Sequence, residues 1–301
     1  MQFPLSQAGF PPQAYLIGAQ KAGTTFLANL LAAQPGVCVA SPKEPDFFTR
    51  HRERGLDWYR GRFAEPEGRL LLDASTSYAA APLAAYAASA NGAKSRYSGV
   101  PEAICAIAPS ARFIYLVRNP ADRVHSAYWH DVRAGNETRP IEQALAADSL
   151  YLRSTDYLGQ LRLYLTYFPR DAFLILRFED LVRAPLQTLC RTCDFLGLPE
   201  PASLPPSPGR NSGFVYRGPL AAINRRLGGR LGRVFKRVRP WLPRRLIEPA
   251  GSLLTRRAPP LDAALREQLL ARFAPMAAEF AELTGVFIDP WQPAERSTAP
   301  S

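Results

Sequence analysis

QAYLIGAQKAGTTFLANLLAAQPG, residues 13–36, divides into three parts by its apolar spacing. Gln13 to Ile17, after Pro11 and Pro12, is a short apolar run of the kind a buried strand carries. Gly18 to Gly23 reads as a loop, and Thr24 to about Gln34 has helical spacing that Pro35-Gly36 stops. Strand, glycine loop and helix in that order present backbone N–H groups and a helix N-terminus to an anion. Gly18 and Gly23 permit the tight turn and the close approach of a ligand. A nucleoside-triphosphate loop requires G-x-x-x-x-G-K-[ST]. Here Thr24 stands where that lysine belongs, and the lysine is Lys21, inside the loop. The displacement argues against a magnesium-dependent nucleotide kinase, as does the lack of a clear aspartate ending a later strand to hold magnesium.

Outward from this unit, short β-type runs alternate with longer helical ones, the pattern of an α/β protein with a mostly parallel sheet. Strands are expected at Val37 to Ala40, Arg69 to Asp73, Arg112 to Val117 and Phe173 to Phe178. Asn119 is a good N-cap with Pro120 at the first helical position, so a helix should run from Pro120 to about Ala134 and stop at Gly135. Further helices are expected over roughly Asp156 to Tyr167, Pro185 to Leu196 and 261–283, the last ending before Gly285, with a loop at Pro199 to Pro208. The Ala-rich stretch Ala79 to Ala90 reads as a helix. No internal repeat is present, and residues 1–301 read as one domain with a basic, helical appendage at about 219–257.

Composition narrows the class. The 301 residues are 47% hydrophobic and 21% charged, too apolar for a disordered chain, and four scattered cysteines are too few for a disulfide-stapled scaffold. No apolar run approaches the roughly 18 residues needed to span a bilayer. The start MQFPLSQAGF has no basic flank before an apolar core, so a cytoplasmic location with reduced cysteines is expected. Between Gly209 and Arg257 thirteen Arg and Lys face one acid, Glu248, a local balance of +12 against +11 for the whole chain. The excess basicity is therefore one segment. It interleaves Leu, Ile, Val, Phe235 and Trp241 with its cations, so it suits short helices packed on the body, contact with anionic lipid from the inner membrane face, or the entrance for an anionic acceptor. No nucleic-acid-binding signature accompanies it, and nucleic acid is not expected as a partner.

Lys21, Gly23, Thr24 and Thr25 resemble the Lys-x-Gly-Thr-[Thr/Ser] loop of the sulfotransferases that use 3'-phosphoadenosine 5'-phosphosulfate (PAPS). A second signature lies in FIYLVRNPADRVHSAYW, where Arg118, Asn119, Pro120 and, eight residues after the arginine, Ser126 match the family's 3'-phosphate site. A guanidinium is a permanently charged fork suited to phosphate. Ser126 should lie about 10 Å along the helix from its N-cap. SPKEPDFF followed by GLDWYRGRF is similar to elements of the heparan-sulfate branch and of bacterial relatives, with one residue fewer between Glu44 and the Phe pair. DASTSY, FPRDAFLILRFEDLVRAP, GRNSGFVYRGPL and Trp291 extend the resemblance over most of the chain.

The resemblance implies a P-loop-NTPase-like parallel sheet flanked by helices. It implies a sulfuryl transfer from PAPS, leaving adenosine 3',5'-bisphosphate (PAP), that needs no metal. Lys21, Ala22, Gly23, Thr24 and Thr25 would hold the 5'-phosphosulfate, Arg118 and Ser126 the 3'-phosphate, and Arg217-Gly218, with Arg210, the nucleotide. Lys21 would meet the bridging oxygen and Glu44 would take the acceptor's proton, with Asp46 a weaker candidate for that base. His51, His125 and His130 fall outside the matching context and read as structural or surface residues. Cys190-x-x-Cys193 lies inside a predicted helix without a second ligand pair, which fits idle thiols better than zinc or redox chemistry. Ala74 stands where heparan-type enzymes often carry lysine, which leaves the acceptor open among carbohydrate, lipid-linked and secondary-metabolite hydroxyls or amines. A non-catalytic polyanion- or membrane-binding module on the same fold is the reading from another class, and the joint presence of Lys21, Glu44, Arg118 and Ser126 argues against it.

Overall fold

The computed structural model of the chain describes residues 9–64, 67–86, 95–145, 150–205, 214–216 and 255–288. Five strands, β1 (Ala14–Gly18), β2 (Val37–Val39), β3 (Leu70–Asp73), β4 (Arg112–Val117) and β5 (Phe173–Arg177), form a sheet in the order β2-β3-β1-β4-β5. Every neighbouring pair is parallel. β1 and β3 are buried along their whole length, as is β4 apart from Arg112. This is what a parallel sheet covered on both faces requires, and it explains why these strands read as continuous apolar runs.

The helices are α1 (Thr24–Ala32), α2 (Gly55–Arg60), α3 (Val100–Ile107), α4 (Pro120–Ala134), α5 (Ile141–Ala144), α6 (Leu150–Arg153), α7 (Tyr157–Leu165), α8 (Phe178–Arg183), α9 (Pro185–Leu196) and α10 (Ala263–Thr284). Their ends follow local rules. Asn119 caps α4 by accepting from the Asp122 amide at 3.2 Å, Pro120 occupies the first turn, and left-handed Gly135 closes the helix. Asp262 caps α10 through the Ala264 and Leu265 amides, and left-handed Gly285 ends it.

At the centre of the sheet Phe113 stacks on Tyr15 (5.6 Å) and Phe173 (4.9 Å), with Tyr164 and Phe168 edge-on. A second cluster joins Ala121, Val124, Ala127 and Tyr128 of α4 to Leu269, Leu270 and Phe273 of α10. An Arg266–Asp122 ion pair reinforces that contact. The C-terminal helix thus braces the element that follows β4. Because the chain runs from β1 outward to β2 and β3, then returns to β4 on the other side, the crevice outside the carboxyl ends of β1 and β4 is the topological switch point.

Some expected boundaries change. Phe178 begins α8 instead of ending the strand, because Arg177 turns the chain at an extended N-cap position. The Ala-rich stretch is not an α-helix over its described part: Thr76–Ala79 and Ala84–Tyr86 are separate single 3-10 turns. Residues 255–257 of the basic appendage, expected as helix, form β7 (Thr255–Arg257), antiparallel to β6 (Phe214–Tyr216), which lies against α4. The rest of 219–257, and Arg210, Arg217, Gly218 and Trp291, lie outside the described residues.

Candidate active site

The loop after β1 is tied down from two sides. Arg118 Nη1 donates to the Lys21 carbonyl at 3.1 Å and Arg123 Nε to the Gln20 carbonyl at 3.0 Å. Ala22 N–H returns to the Ala19 carbonyl at 3.1 Å, and Lys21 takes a left-handed conformation with φ 72°. Gly23 follows at φ 88°, where an added Cβ would meet Phe178 Cδ2 at 2.9 Å and Leu181 Cδ2 at 3.1 Å, so only glycine fits. The amides of Gln20, Lys21 and Gly23 donate to no backbone carbonyl among the described residues. Thr24 and Thr25, as the first two residues of α1, have no acceptor within the helix. The result is a cradle of donors at a helix N-terminus.

Cations surround that cradle. Burial, then Arg133, Arg118 and Arg123, hold the Lys21 ammonium down at about 8, with Asp131 acting the other way. Arg118 lies 4.4 Å over the Phe178 ring, and its Nε is buried with no hydrogen-bond partner. An orphaned buried guanidinium nitrogen beside free amides is a donor set waiting for an anion. Ser126 is half-buried on α4, on the helical face shared by Asp122, His130 and Arg133.

The loops after β2 and β3 meet beside this cradle. Gly18 ends β1 so close to the turn after β3 that an added Cβ would lie 3.0 Å from Ala79 Cβ and 3.8 Å from the Thr76 carbonyl. Thr76 Oγ1 in turn donates to Glu44 Oε1 at 3.3 Å, and Lys43 Nζ pairs with the same oxygen at 2.8 Å. The Glu44 side chain is 40% exposed, open to an incoming group. Asp46 is more enclosed. Its amide donates to Ser75 Oγ, its carboxylate accepts from Ser77 Oγ at 2.6 Å and pairs with Arg50 at 3.2 Å, and burial raises its pKa.

Beneath both loops sits Asp73, at the end of β3. The fully buried carboxylate accepts from Tyr59 Oη (2.6 Å), Tyr78 Oη (2.7 Å), Ser75 Oγ (2.6 Å) and the Ser75 amide (3.0 Å). Burial pushes it up to about 6 against the pull of those donors. Asp73 ends the strand expected over Arg69 to Asp73, and its place as the hub of this network is what the sequence does not announce. With its lone pairs taken by four donors it faces no open site, so it gives no support to magnesium binding. Its signal was an acid directly after LLL. Arg123 was missed as well, and nothing in its spacing announces that it is 1% exposed and reaches the loop.

The structure therefore gathers Lys21, Ala22, Gly23, Thr24, Thr25 and Arg118 around one cradle, and Glu44 joins it through Thr76. His125 accepts from Trp129 Nε1 at 2.9 Å, His130 contacts Arg133, and His51 lies tilted against Trp58. Cys190 and Cys193 lie on α9, and all four cysteines are free thiols.

A strand–loop–helix cradle with converging cations at the switch point of a parallel sheet defines the class, an α/β protein with a crevice suited to a phosphorylated anion. Residues 12–202 match the model of the sulfotransferase family, and the chain belongs to that family. It is similar to human heparan sulfate glucosamine 3-O-sulfotransferase 6, at 31% identity over 200 residues, 62% of this chain and 52% of that protein. It is also similar to human bifunctional heparan sulfate N-deacetylase/N-sulfotransferase 2, at 30% over 207 residues, 62% of this chain and 22% of that protein. The chain thus spans about half the length of the first relative and under a quarter of the second. A sulfotransferase from Alicyclobacillus acidocaldarius shares the fold, with a TM-score of 0.62 at 22% identity over 91% of this chain and 96% of that one.

Proposed function

We propose that this protein transfers a sulfuryl group from PAPS to a hydroxyl or amine of a carbohydrate, lipid-linked or secondary-metabolite acceptor. The observation that carries the reading is the joining of the Lys21 carbonyl to Arg118, at 3.1 Å, beside amides that no backbone carbonyl among the described residues satisfies. When bound, PAPS supplies a sulfur atom whose bond to the nucleotide phosphate oxygen breaks as the acceptor's bond to sulfur forms. Gly23, Thr24 and Thr25 orient the 5' end through backbone and hydroxyl donors, and Arg118 and Ser126 hold the 3'-phosphate. Lys21, kept ammonium below about pH 8, stabilises the charge left on the departing oxygen. Glu44 Oε2, which has no protein partner among the described residues, takes the acceptor proton.

The acceptor would enter from the side of a cavity of about 840 Å³ next to the Glu44 loop. Arg50, His51, Arg96, Ser98 and Glu102 help to line it, a polar wall suited to a polyhydroxylated molecule, and Arg50 links it to Asp46. The heparan-sulfate relatives support a glycan as the first class to try. We further place the protein in the cytoplasm, which four free thiols support, with the 219–257 segment against anionic lipid, supported by its charge. Co-sedimentation with phosphatidylserine vesicles, lost on deletion of that segment, is the result this placement expects.

Calorimetric titration with PAP, beside 5'-AMP and ATP with magnesium, tests the donor assignment. Tight binding of PAP without magnesium, dependent on the 3'-phosphate, is the expected outcome. Binding of ATP with magnesium alone would instead favour a kinase, and binding of no nucleotide a non-catalytic module.

A further inference from the structure

Arg123 is among the largest fully buried side chains of the molecule, and its hydrogen bonds go only to uncharged oxygens. Nε donates to the Gln20 carbonyl at 3.0 Å, and Nη1 to the Tyr151 carbonyl at 2.6 Å and Thr155 Oγ1 at 2.9 Å. Among the described residues no carboxylate touches it; the charge of Asp131 reaches Arg123 and also Lys21. A buried cation with no carboxylate in contact is costly, and a fold that keeps one has a use for its charge. Lys21, Arg118 and Arg133 converge on the same loop, so around it the cations outnumber Asp131.

The bond to Gln20 has a directional consequence. In a trans peptide the carbonyl and the following N–H point opposite ways. Tying the Gln20 carbonyl down to Arg123 therefore turns the Lys21 N–H away from the core, and that N–H meets no carbonyl among the described residues.

We propose that Arg123 is a positioning residue for the 5'-phosphosulfate: from beneath the loop it aims the Lys21 amide outward, and the bound anion serves as its counter-ion. The inference rests on the donor reading above. Ser126 acts on the 3'-phosphate and Arg118 on both the 3'-phosphate and the Lys21 carbonyl, whereas Arg123 acts through the loop on the 5' end alone.

The test is calorimetric affinity for PAP, 5'-AMP and 3'-AMP in the full chain and in Arg123→Lys, Arg123→Met and Thr155→Val, with Arg118→Ala as the reference. Arg123→Lys keeps the charge but cannot reach all three oxygens, and should weaken PAP and 5'-AMP about tenfold each while 3'-AMP stays within about twofold. Arg123→Met should cost about a hundredfold with the same selectivity. Should the Met variant not fold, the other two decide. Thr155→Val, which loosens the far end of Arg123, should give about a threefold loss, again confined to ligands with a 5'-phosphate. Arg118→Ala, which removes a 3'-phosphate donor together with the bond to the Lys21 carbonyl, should weaken 3'-AMP as well as 5'-AMP. A general loosening of α4 would weaken 3'-AMP as much as 5'-AMP, and that result, or unchanged 5'-AMP affinity, overturns the inference while leaving the donor reading intact. Failure of the unaltered protein to bind any of the three overturns the donor reading and this inference with it.

Discussion

The two halves of the site are built differently. On the donor side, the Gln20 and Lys21 carbonyls are tied to arginines while the Gln20, Lys21 and Gly23 amides meet no backbone carbonyl among the described residues, so the donors are mainly backbone, shaped by Gly23 and a helix start. On the Glu44 side, side chains hold side chains: Asp73 fixes Ser75, Ser77 donates to the Asp46 carboxylate, and Thr76 donates to Glu44. On the proposed reading, the donor half meets an anion whose shape is constant. The other half lies on loops that lead into the cavity wall at Phe48 to Glu53, and such loops can change without disturbing the sheet.

The comparison breaks most sharply at Lys21 and Glu44. Lys21→Ala should cut turnover about 10²–10³-fold with an unchanged unfolding transition, because a preorganised charge is removed from the reacting centre. Its charge should also set a limit in the unaltered protein. As the free ammonium loses its proton above about pH 8, turnover per nucleotide bound should fall, and Lys21→Ala should abolish that alkaline limb. Glu44→Gln should lower turnover about 10²-fold yet leave PAP affinity within about twofold. Equal loss in both quantities would merge the two halves into one.

Smaller effects sharpen the contrast through stability. Gly23→Ala should destabilise the protein by about 1–3 kcal/mol in urea unfolding, since both its φ of 88° and the Phe178 and Leu181 contacts oppose a Cβ. Asp73 should show itself in the pH dependence of the same measurement. Its pKa is raised in the folded state, so the native protein binds more protons than the unfolded chain between about pH 4 and 6. Stability should therefore fall as pH rises through that window, by about 2–3 kcal/mol from this group, and Asp73→Asn should remove that slope. An unchanged slope would mean that the network on the Glu44 side does not depend on the ionised carboxylate.

How far each half was legible follows from the same difference. Residues 18–25 and 118–126 are contiguous, and their conformations follow from local rules: a buried β run, a glycine that must be left-handed, an Asn cap, a Pro at the first helical turn. Arg112 to Val117, Pro120 to Ala134 and Pro185 to Leu196 agree with the structure at both ends for that reason. The Ala-rich stretch failed because alanine permits a helix without compelling one, and here the turns from Thr76 to Tyr86 answer to packing against β1 and Gln160.

The sequence by itself determined that a parallel α/β sheet would carry a lysine-bearing glycine loop, an arginine at a strand end and a serine one face along the next helix. Each of these depends on neighbours within a few residues. Only the tertiary structure decided that Arg123 would run beneath the loop to Gln20, 103 residues away, and that Tyr59, Ser75 and Tyr78 would close around Asp73. Burying a charge is tolerable only where distant segments bring enough dipoles to meet it, and local spacing carries no record of which segments those are.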